Sequence, residues 1–311
     1  MRGARLRCRT CKGRDMTPAS ALSAGPRLDP RIPILVRPSG TVQLGWDPER
    51  ALLLTVPTGV APPAVAALLR VLDGQHSRDE ILRRAREIGL TAADIEALLA
   101  ELAGAALLMP ATTAPRCVTA VHVHGRGPIS DGIAGSLADG RVRLTRSVPF
   151  GGTGVPRIDR SALVVLADEL VPDPGFVAGL VEARMPHLQV RLRDGAGIVG
   201  PLVLPGHTSC LRCADLTRTS RDHEWPHLAA QLLGAVGHAD PASILATTAL
   251  ALAELNVLIA AQPARSPACL DTTLELNLTT YRLVRRTWPR HPDCGCHRRA
   301  GHVGEPANRQ P

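Results

Sequence analysis

Two closely spaced cysteine pairs lie in the second half of the chain, each in a stretch rich in turn-forming residues. They are Cys210-Leu-Arg-Cys213 and Cys294-Gly-Cys296. Turns let thiolates converge, and four thiolates can close one tetrahedral Zn(II) site. We therefore predict a structural zinc ion held by all four cysteines. Because Cys-x-Cys is tighter than the usual Cys-x-x-Cys, His291 or His297 is an alternative ligand, and four unconnected thiols or a redox pair are the other interpretations.

A glycine turn follows the first strand predicted for the same half of the chain. The segment Val121-His-Val-His-Gly125-Arg-Gly127-Pro-Ile-Ser130 has the place of a phosphate-binding loop between a strand and a helix. Ser130 replaces the third glycine, and Pro128 removes a backbone N–H that could bind phosphate. The next predicted strand ends without an acidic residue for a ribose. Gly125 and Gly127 are thus candidate ATP contacts, with a tight turn that binds no nucleotide as the alternative.

Asp168 and Glu169 end an apolar strand, where the ligand sites of α/β sheets are usually found. They predict either a Mg²⁺ site or a helix cap. His122 and His124 share one face of a strand, which indicates a polar strand face or a ligand pair. The stretch from Arg221 to Pro226 resembles a catalytic cluster in composition only, and we interpret it as a solvated loop with a tryptophan anchor.

Composition limits the possible partners. The 311 residues include 45% hydrophobic and 21% charged residues, which is typical of a globular chain of about two domains. The net charge of +8 would favour a polyanion partner, but Lys12 is the single lysine among 36 basic residues and the arginines are scattered. Aromatic residues make up 2%, which argues against base-stacking surfaces. We expect no nucleic-acid partner.

The N-terminal stretch has no apolar core that would make it a secretory signal. The best membrane candidate, Ala242–Ala261, carries Glu254 and Asn256, which are costly in hydrocarbon. A buried or dimer-interface helix is the better interpretation, so we expect a cytoplasmic homodimer without a membrane segment. Cysteines in that compartment favour metal or thiol sites over disulfides. Cys8 and Cys11 lack a second pair nearby and are read as incidental, and Met16 is an alternative start.

Residues 28–112 predict a winged-helix-like module of three strands followed by three helices. Alternating apolar residues give a hairpin through Trp46 and a third strand at Leu52–Val56, and 3.6-residue periodicity gives the helices. A peptide could pair with the third strand and lie against the third helix. The candidate peptide-binding residues are Leu52, Leu54, Val56, Asp94, Glu96 and Glu101.

Residues 115–300 change to alternating strands and helices, which predicts a doubly wound parallel sheet. Residues 111–115 form the linker, and residues 1–27 and 301–311 are predicted to be disordered tails. The predicted strands are 117–123, 141–145, 162–167 and 188–192, and the predicted helices are 129–137 and 174–184.

The glycine turn, the stretch from Gly200 to Cys213, the long apolar helix and His291-Pro-Asp-Cys294-Gly-Cys296 together resemble the E1-like ThiF/MoeB superfamily. The most specific part, Cys213–Pro226, resembles the leader-peptide-binding cyclodehydratase proteins of thiazole/oxazole-modified peptide biosynthesis. That resemblance implies a winged-helix peptide-recognition module joined to a Rossmann-like domain that is stabilised by a structural zinc ion. It also implies a precursor peptide and a YcaO-type cyclodehydratase as partners.

Active relatives adenylate a carboxylate with a ribose-binding acid, phosphate-binding cations and a metal-binding aspartate. Here the acid is missing and Lys12 is the single lysine, so the resemblance implies a non-catalytic scaffold. The first alternative is an active ATP-dependent adenylyltransferase in which Gly125, Gly127 and Asp168 suffice for ATP and Mg²⁺. The second is a winged-helix DNA-binding regulator, against which the acidic third helix argues, because acidic side chains repel phosphate.

Overall fold

The computed structural model describes residues 25–109, 118–138, 142–149, 158–259 and 266–297. The chain divides into two compact units, Met1–Pro115 and Arg116–Pro311. The linker predicted at 111–115, the pair Cys8 and Cys11, and the two predicted tails lie outside the described residues, except for residues 25–27.

The described part of the first unit contains five short strands and three helices. In chain order they are β1 (Arg27–Leu28), β2 (Ile34–Val36), β3 (Val42–Leu44), β4 (Leu52–Leu54), α1 (Pro62–Arg70), α2 (Arg78–Glu87), α3 (Ala92–Gly104) and β5 (Leu108–Met109). β2, β3 and β4 form an antiparallel sheet in that order, and β1 pairs with β5. Three strands followed by three helices is the predicted element order.

Several details of this unit differ from the prediction. β1 and β5 were not expected, because strands of two residues carry no periodic signal. Trp46 lies beyond β3 with 79% of its surface exposed, and the third strand ends at Leu54, before Val56. The unit has its own hydrophobic core, to which all three helices and the three-stranded sheet contribute.

Side chains close the N-termini of α2 and α3. The Ser77 hydroxyl accepts a hydrogen bond from the Glu80 N–H at 3.2 Å. At α3, the Thr91 hydroxyl accepts from the Asp94 N–H while the Asp94 carboxylate accepts from the Thr91 N–H, which is a complete capping box. Local sequence therefore sets where these helices begin.

The second unit is an α/β domain. Its elements are β6 (Ala120–His124), α4 (Pro128–Leu137), β7 (Arg143–Ser147), β8 (Leu163–Ala167), α5 (Pro174–Glu182), β9 (His187–Arg193), β10 (Ala196–Val203), α6 (Leu211–Thr219), α7 (Trp225–Gln231), α8 (Pro241–Ile259), β11 (Thr272–Asn277) and β12 (Arg282–Thr287). The strands form one sheet in the order β12-β11-β10-β9-β8-β6-β7.

This sheet is mixed, so the prediction of a parallel sheet is correct for only part of it. β7, β6, β8 and β9 run parallel, whereas β9 through β12 pair antiparallel. β9 turns into β10 through Asp194 and Gly195, both at positive φ, which is the backbone of a two-residue hairpin. A hairpin reverses the chain, so no crossover helix is needed there.

The two faces of the sheet bury separate cores. α4 and α8 pack with one face, where α8 contributes Ala251, Leu255 and Ile259. α5, α6 and three of the paired cysteines pack with the other. Within the described residues, α8 has the length and hydropathy of a membrane span. It serves here as a core helix, and its Glu254 carboxylate accepts a hydrogen bond from the Cys269 N–H at 2.9 Å.

Candidate functional site

The four paired cysteines come together beside α6. Cys210 directly precedes α6 and Cys213 lies in its first turn, while Cys294 and Cys296 lie in the turn after β12. Cys210, Cys213 and Cys294 are buried, and Cys296 is partly exposed. The fold therefore joins the two pairs into one cluster, as the spacing predicts.

The geometry of the cluster matches a tetrahedral metal site. The Sγ atoms of Cys210 and Cys213 are 3.8 Å apart, those of Cys210 and Cys294 3.6 Å, and those of Cys213 and Cys296 3.5 Å. All four atoms lie within 4.8 Å of one another. A tetrahedral ion with metal–sulfur bonds of about 2.3 Å places its sulfur atoms about 3.8 Å apart. A disulfide needs about 2.05 Å, so these sulfurs are spaced for a shared ion and not for bonds to one another.

One of the two alternative ligands lies outside the cluster. His291 has its Nε2 atom 3.2 Å from the Ser220 hydroxyl, whereas the side chain of His297, the other alternative, is outside the described part of the chain. A hydrogen bond from Cys210 lowers the pKa of Cys213 to about 4, whereas burial raises the pKa of Cys296 to about 12. A bound cation would stabilise the remaining thiolates, because metal ligation requires the deprotonated form.

The glycine turn lies at the switch point of the parallel part of the sheet, between β6 and β8. A Cβ on Gly125 would lie 2.6 Å from the Ala167 carbonyl oxygen, and one on Gly127 would lie 2.8 Å from the Asp168 carboxylate carbon. The space beside β8 excludes any side chain at either position. These two glycines thus allow close packing of the turn against Asp168.

The Asp168 carboxylate occupies the N-terminus of α4. One oxygen accepts a hydrogen bond from the Ile129 N–H at 2.9 Å and the other from the Ser130 N–H at 3.2 Å. Asp168 is 2% exposed and has φ +74°, a conformation in which aspartate is among the better tolerated residues. A helix N-terminus is a natural site for a phosphate, and here the chain's own carboxylate takes those donors. Of the two roles predicted for Asp168, the structure shows the cap.

The strand end that would carry a ribose-binding acid carries a hydroxyl. Ser147 ends β7, and its Oγ lies 2.7 Å from both His122 Nε2 and His124 Nδ1. The two histidines are buried, and the ring of His124 lies 4.3 Å from that of Phe176. Burial lowers the pKa of His122, and burial with the nearby His122 lowers the pKa of His124 to about 4. The two histidines therefore form a neutral, hydrogen-bonded strand face. This agrees with the interpretation as a polar strand face and not with the interpretation as a ligand pair.

The stretch Arg221–Pro226 was predicted to be a loop. The structure differs in its last two residues, because α7 begins at Trp225. The indole N–H of Trp225 donates to the Asp215 carboxylate at 3.3 Å. The guanidinium of Arg218 lies 5.1 Å from the Trp225 ring centroid and 4.4 Å from that of Trp288. The tryptophan anchors its segment as expected, through a cation–π contact that spacing alone does not reveal.

In the first unit, β4 is an edge strand of the three-stranded sheet. Two backbone hydrogen bonds show which residues of β2 and β3 face each other with their N–H and C=O groups. The Arg37 N–H donates to the Thr41 carbonyl, and the Gly45 N–H donates to the Pro33 carbonyl. Along each strand, every second residue directs its backbone groups to the same neighbouring strand. By that alternation the Leu52 and Leu54 backbone groups point toward β3, and the N–H and C=O of Leu53 point outward.

This orientation refines the candidate peptide-binding residues. Leu54 is 3% exposed and belongs to the core, and Leu52 and Val56 pack against that core. Leu53, which the sequence prediction passed over, has 46% of its surface exposed in addition to the outward backbone groups. The strict alternation of an antiparallel strand is the signal that could have found it.

The acidic residues of α3 have different surroundings. Asp94 is used in the capping box, and hydrogen bonds from Thr91 lower its pKa. Glu96 pairs with Arg78 of α2. Glu101 is exposed on the helix.

Comparison with solved structures gives matches at low sequence identity. The heterocyclase TruD is 17% identical with a TM-score of 0.60, over 88% of this chain and 42% of that one. E. coli MccB with MccA-N7isoAsn is 13% identical with a TM-score of 0.58, over 88% and 99%. E. coli MccB with ATP is 12% identical with a TM-score of 0.58, over 87% and 99%.

No family model matches the chain. No curated protein matches it either. The likeness to solved structures therefore carries the comparison, and it shows that this chain shares its fold with the heterocyclase TruD and with MccB.

Proposed function

We propose that this protein is a non-catalytic scaffold that binds the leader segment of a precursor peptide and presents it to a partner enzyme. The partner would be a YcaO-type cyclodehydratase that forms thiazole or oxazole rings. The structural likeness to the heterocyclase TruD supports a place in peptide modification. The chain spans 42% of the length of the TruD chain that it matches.

The observation that carries the peptide-binding role is the outer edge of β4, which pairs with no other strand in the described part of the chain. Leu53 directs one N–H and one C=O away from the sheet, and its side chain is exposed. An extended peptide can add to such an edge through main-chain hydrogen bonds, while a side-chain pocket supplies specificity. Glu101 on α3 would favour a basic peptide through electrostatic steering.

The non-catalytic role is supported by the N-terminus of α4. The Asp168 carboxylate accepts hydrogen bonds from both N–H groups that a phosphate would use. Ser147 lies at the strand end where the resemblance places a ribose-binding acid. The four-cysteine cluster would hold a structural zinc ion that ties α6 to the C-terminal turn. The alternative, an ATP-dependent adenylyltransferase, requires Asp168 to leave its cap and ligate Mg²⁺.

The test is leader-peptide binding by the full-length protein. The precursor peptide encoded beside this gene would supply a fluorescent leader, and anisotropy would give the dissociation constant. Leu53→Pro removes the outward N–H and is compatible with an edge strand, so it should weaken binding at least about tenfold. Leu53→Ala is the matched control, because it shortens the side chain and keeps the N–H.

Equal binding by wild type and Leu53→Pro would exclude pairing at β4. Binding of DNA with no binding of the peptide would favour the regulator alternative. ATP–pyrophosphate exchange that disappears in Asp168→Ala would favour the adenylyltransferase. The homodimer and the cytoplasmic location stay predictions, and the first is measured by light scattering.

A further inference from the structure

A cavity of about 880 Å³ lies within the second unit, on the face of the sheet that carries α5 and α6. Much of its wall is apolar, with contributions from Val177 and Val181 of α5, Leu211 of α6 and Pro201 of β10. Gln189, Arg191 and Arg193, alternate residues of β9, also line it. A space of this size and character is typical of sites for small organic molecules.

Arg191 is a buried cation that makes no ion pair with the residues that the structure describes. It is 7% exposed, and among the described residues its guanidinium has neither a hydrogen bond nor an ion pair. The neighbouring arginines differ, because Arg193 pairs with Glu275 at 3.0 Å and Arg218 pairs with Asp215 at 2.8 Å. Burial lowers the pKa of Arg191 to about 9, which still leaves it charged at neutral pH.

Gln189 adds an unused donor on the same face of the same strand. It is 2% exposed, and its Nε2 atom is buried without a hydrogen-bond partner in the described structure. Residues two apart on a strand point to the same side, so the amide of Gln189 and the guanidinium of Arg191 are neighbours at the cavity wall. An unsatisfied buried donor destabilises the fold, and an unpaired buried charge does so more strongly.

We propose that this cavity binds an apolar molecule that ends in a carboxylate, with Arg191 and Gln189 donating to the carboxylate oxygens. A planar carboxylate matches the fork of a guanidinium, and one such group would satisfy both unpaired residues. The apolar walls suit a hydrocarbon or aromatic body. The ligand is either a free organic acid or the C-terminal end of an apolar peptide, since both present the same chemistry.

Isothermal titration calorimetry on the full-length, metal-containing protein tests this proposal with two probe pairs. The first pair is 1-naphthylacetate and the neutral 1-naphthylacetamide. The second is acetyl-Phe-Leu with a free carboxylate and the same dipeptide as its C-terminal amide. We expect the acid of at least one pair to bind about tenfold or more tightly than its amide, and the pair that discriminates identifies the source.

Arg191→Met keeps an unbranched apolar chain and removes the charge. It should abolish the preference for the acid and leave the affinity for the amide unchanged. Arg285→Met, on exposed β12, is the matched control and should keep the preference. Because Arg191→Met also removes an unpaired buried charge, its Tm in the ligand-free protein should equal or exceed that of the wild type.

Three results would overturn the proposal. One is that no probe binds more tightly than about 1 mM. Another is that acid and amide bind equally in both pairs, or that Arg191→Met keeps the preference. The third is a marked fall in Tm for Arg191→Met, which would mean that Arg191 serves packing. None of these measurements involves β4, so they fail or succeed separately from leader binding.

Discussion

Removing the carboxylate of Asp168 should destabilise the second unit by about 3 kcal/mol, because Asp168→Ala leaves the N–H groups of Ile129 and Ser130 without acceptors at a buried helix end. Each lost bond from a buried donor to a charged acceptor contributes about 1.5–3 kcal/mol, and the two are partly redundant. Alanine must also adopt the positive φ of this position, which costs about 1 kcal/mol more than it does for aspartate or asparagine.

Two further variants separate the cap from other roles. Asp168→Asn keeps an acceptor oxygen and tolerates positive φ, so about 1 kcal/mol should be lost. Asp131→Ala, on the exposed surface of the same helix, removes a carboxylate that pairs with Arg146 and should change stability by less than about 0.5 kcal/mol.

Urea unfolding followed by tryptophan fluorescence measures these differences. Trp225 and Trp288 lie in the second unit, and replacing Trp46 with phenylalanine removes the contribution of the first. We expect the free energy of unfolding to decrease from the wild type to Asp168→Asn and again to Asp168→Ala. An Asp168→Ala protein as stable as the wild type would refute the helix-cap assignment and return Asp168 to the role of a Mg²⁺ ligand.

Four other outcomes are expected. Metal analysis of the purified, reduced protein should find one zinc ion per chain. The Cys294→Ser variant should lose this zinc and unfold at a lower temperature, because metal binding and folding are coupled. Zinc retained in this variant would contradict the four-cysteine site. Burial lowers the pKa of His187 from its ordinary value of about 6.5 to about 4. Between these two pH values the unfolded chain binds more protons than the folded protein. The free energy of unfolding should therefore decrease as the pH falls through that range, by about 2 kcal/mol at pH 5. His187→Leu should flatten this dependence in urea titrations, and an unchanged slope would count against it. A fragment of residues 28–112 should fold alone, because its core is separate, and a circular dichroism melt without a cooperative transition would disprove this. ATP–pyrophosphate exchange should stay at background, and a rate above it that depends on Asp168 would contradict the scaffold.

Local chemistry made much of the element order predictable. The capping box at Thr91 and Asp94, the hydroxyl cap at Ser77 and the apolar periodicities act within a few residues, so they can be read along the chain. The cysteine cluster was also predictable, because four thiols in two tight turns have few ways to be satisfied other than by one ion. The antiparallel half of the sheet was missed, although Asp194-Gly195 carries the hairpin signal.

Only the tertiary structure decided how individual groups are used, since their partners lie far away along the chain. The N–H groups that donate to the Asp168 carboxylate belong to residues 39 and 38 positions earlier in the chain, which no local pattern records. The outward backbone of Leu53 depends on which alternation β3 imposes, and one step of register would reverse it. Arg191 differs from Arg193 and Arg218 because no carboxylate of the described residues pairs with it, and that is a property of packing in three dimensions. Sequence therefore determined the capped helices and the paired thiols, because those depend on neighbours in the chain, and the fold determined which donors stay unpaired, because burial and distance depend on all elements at once.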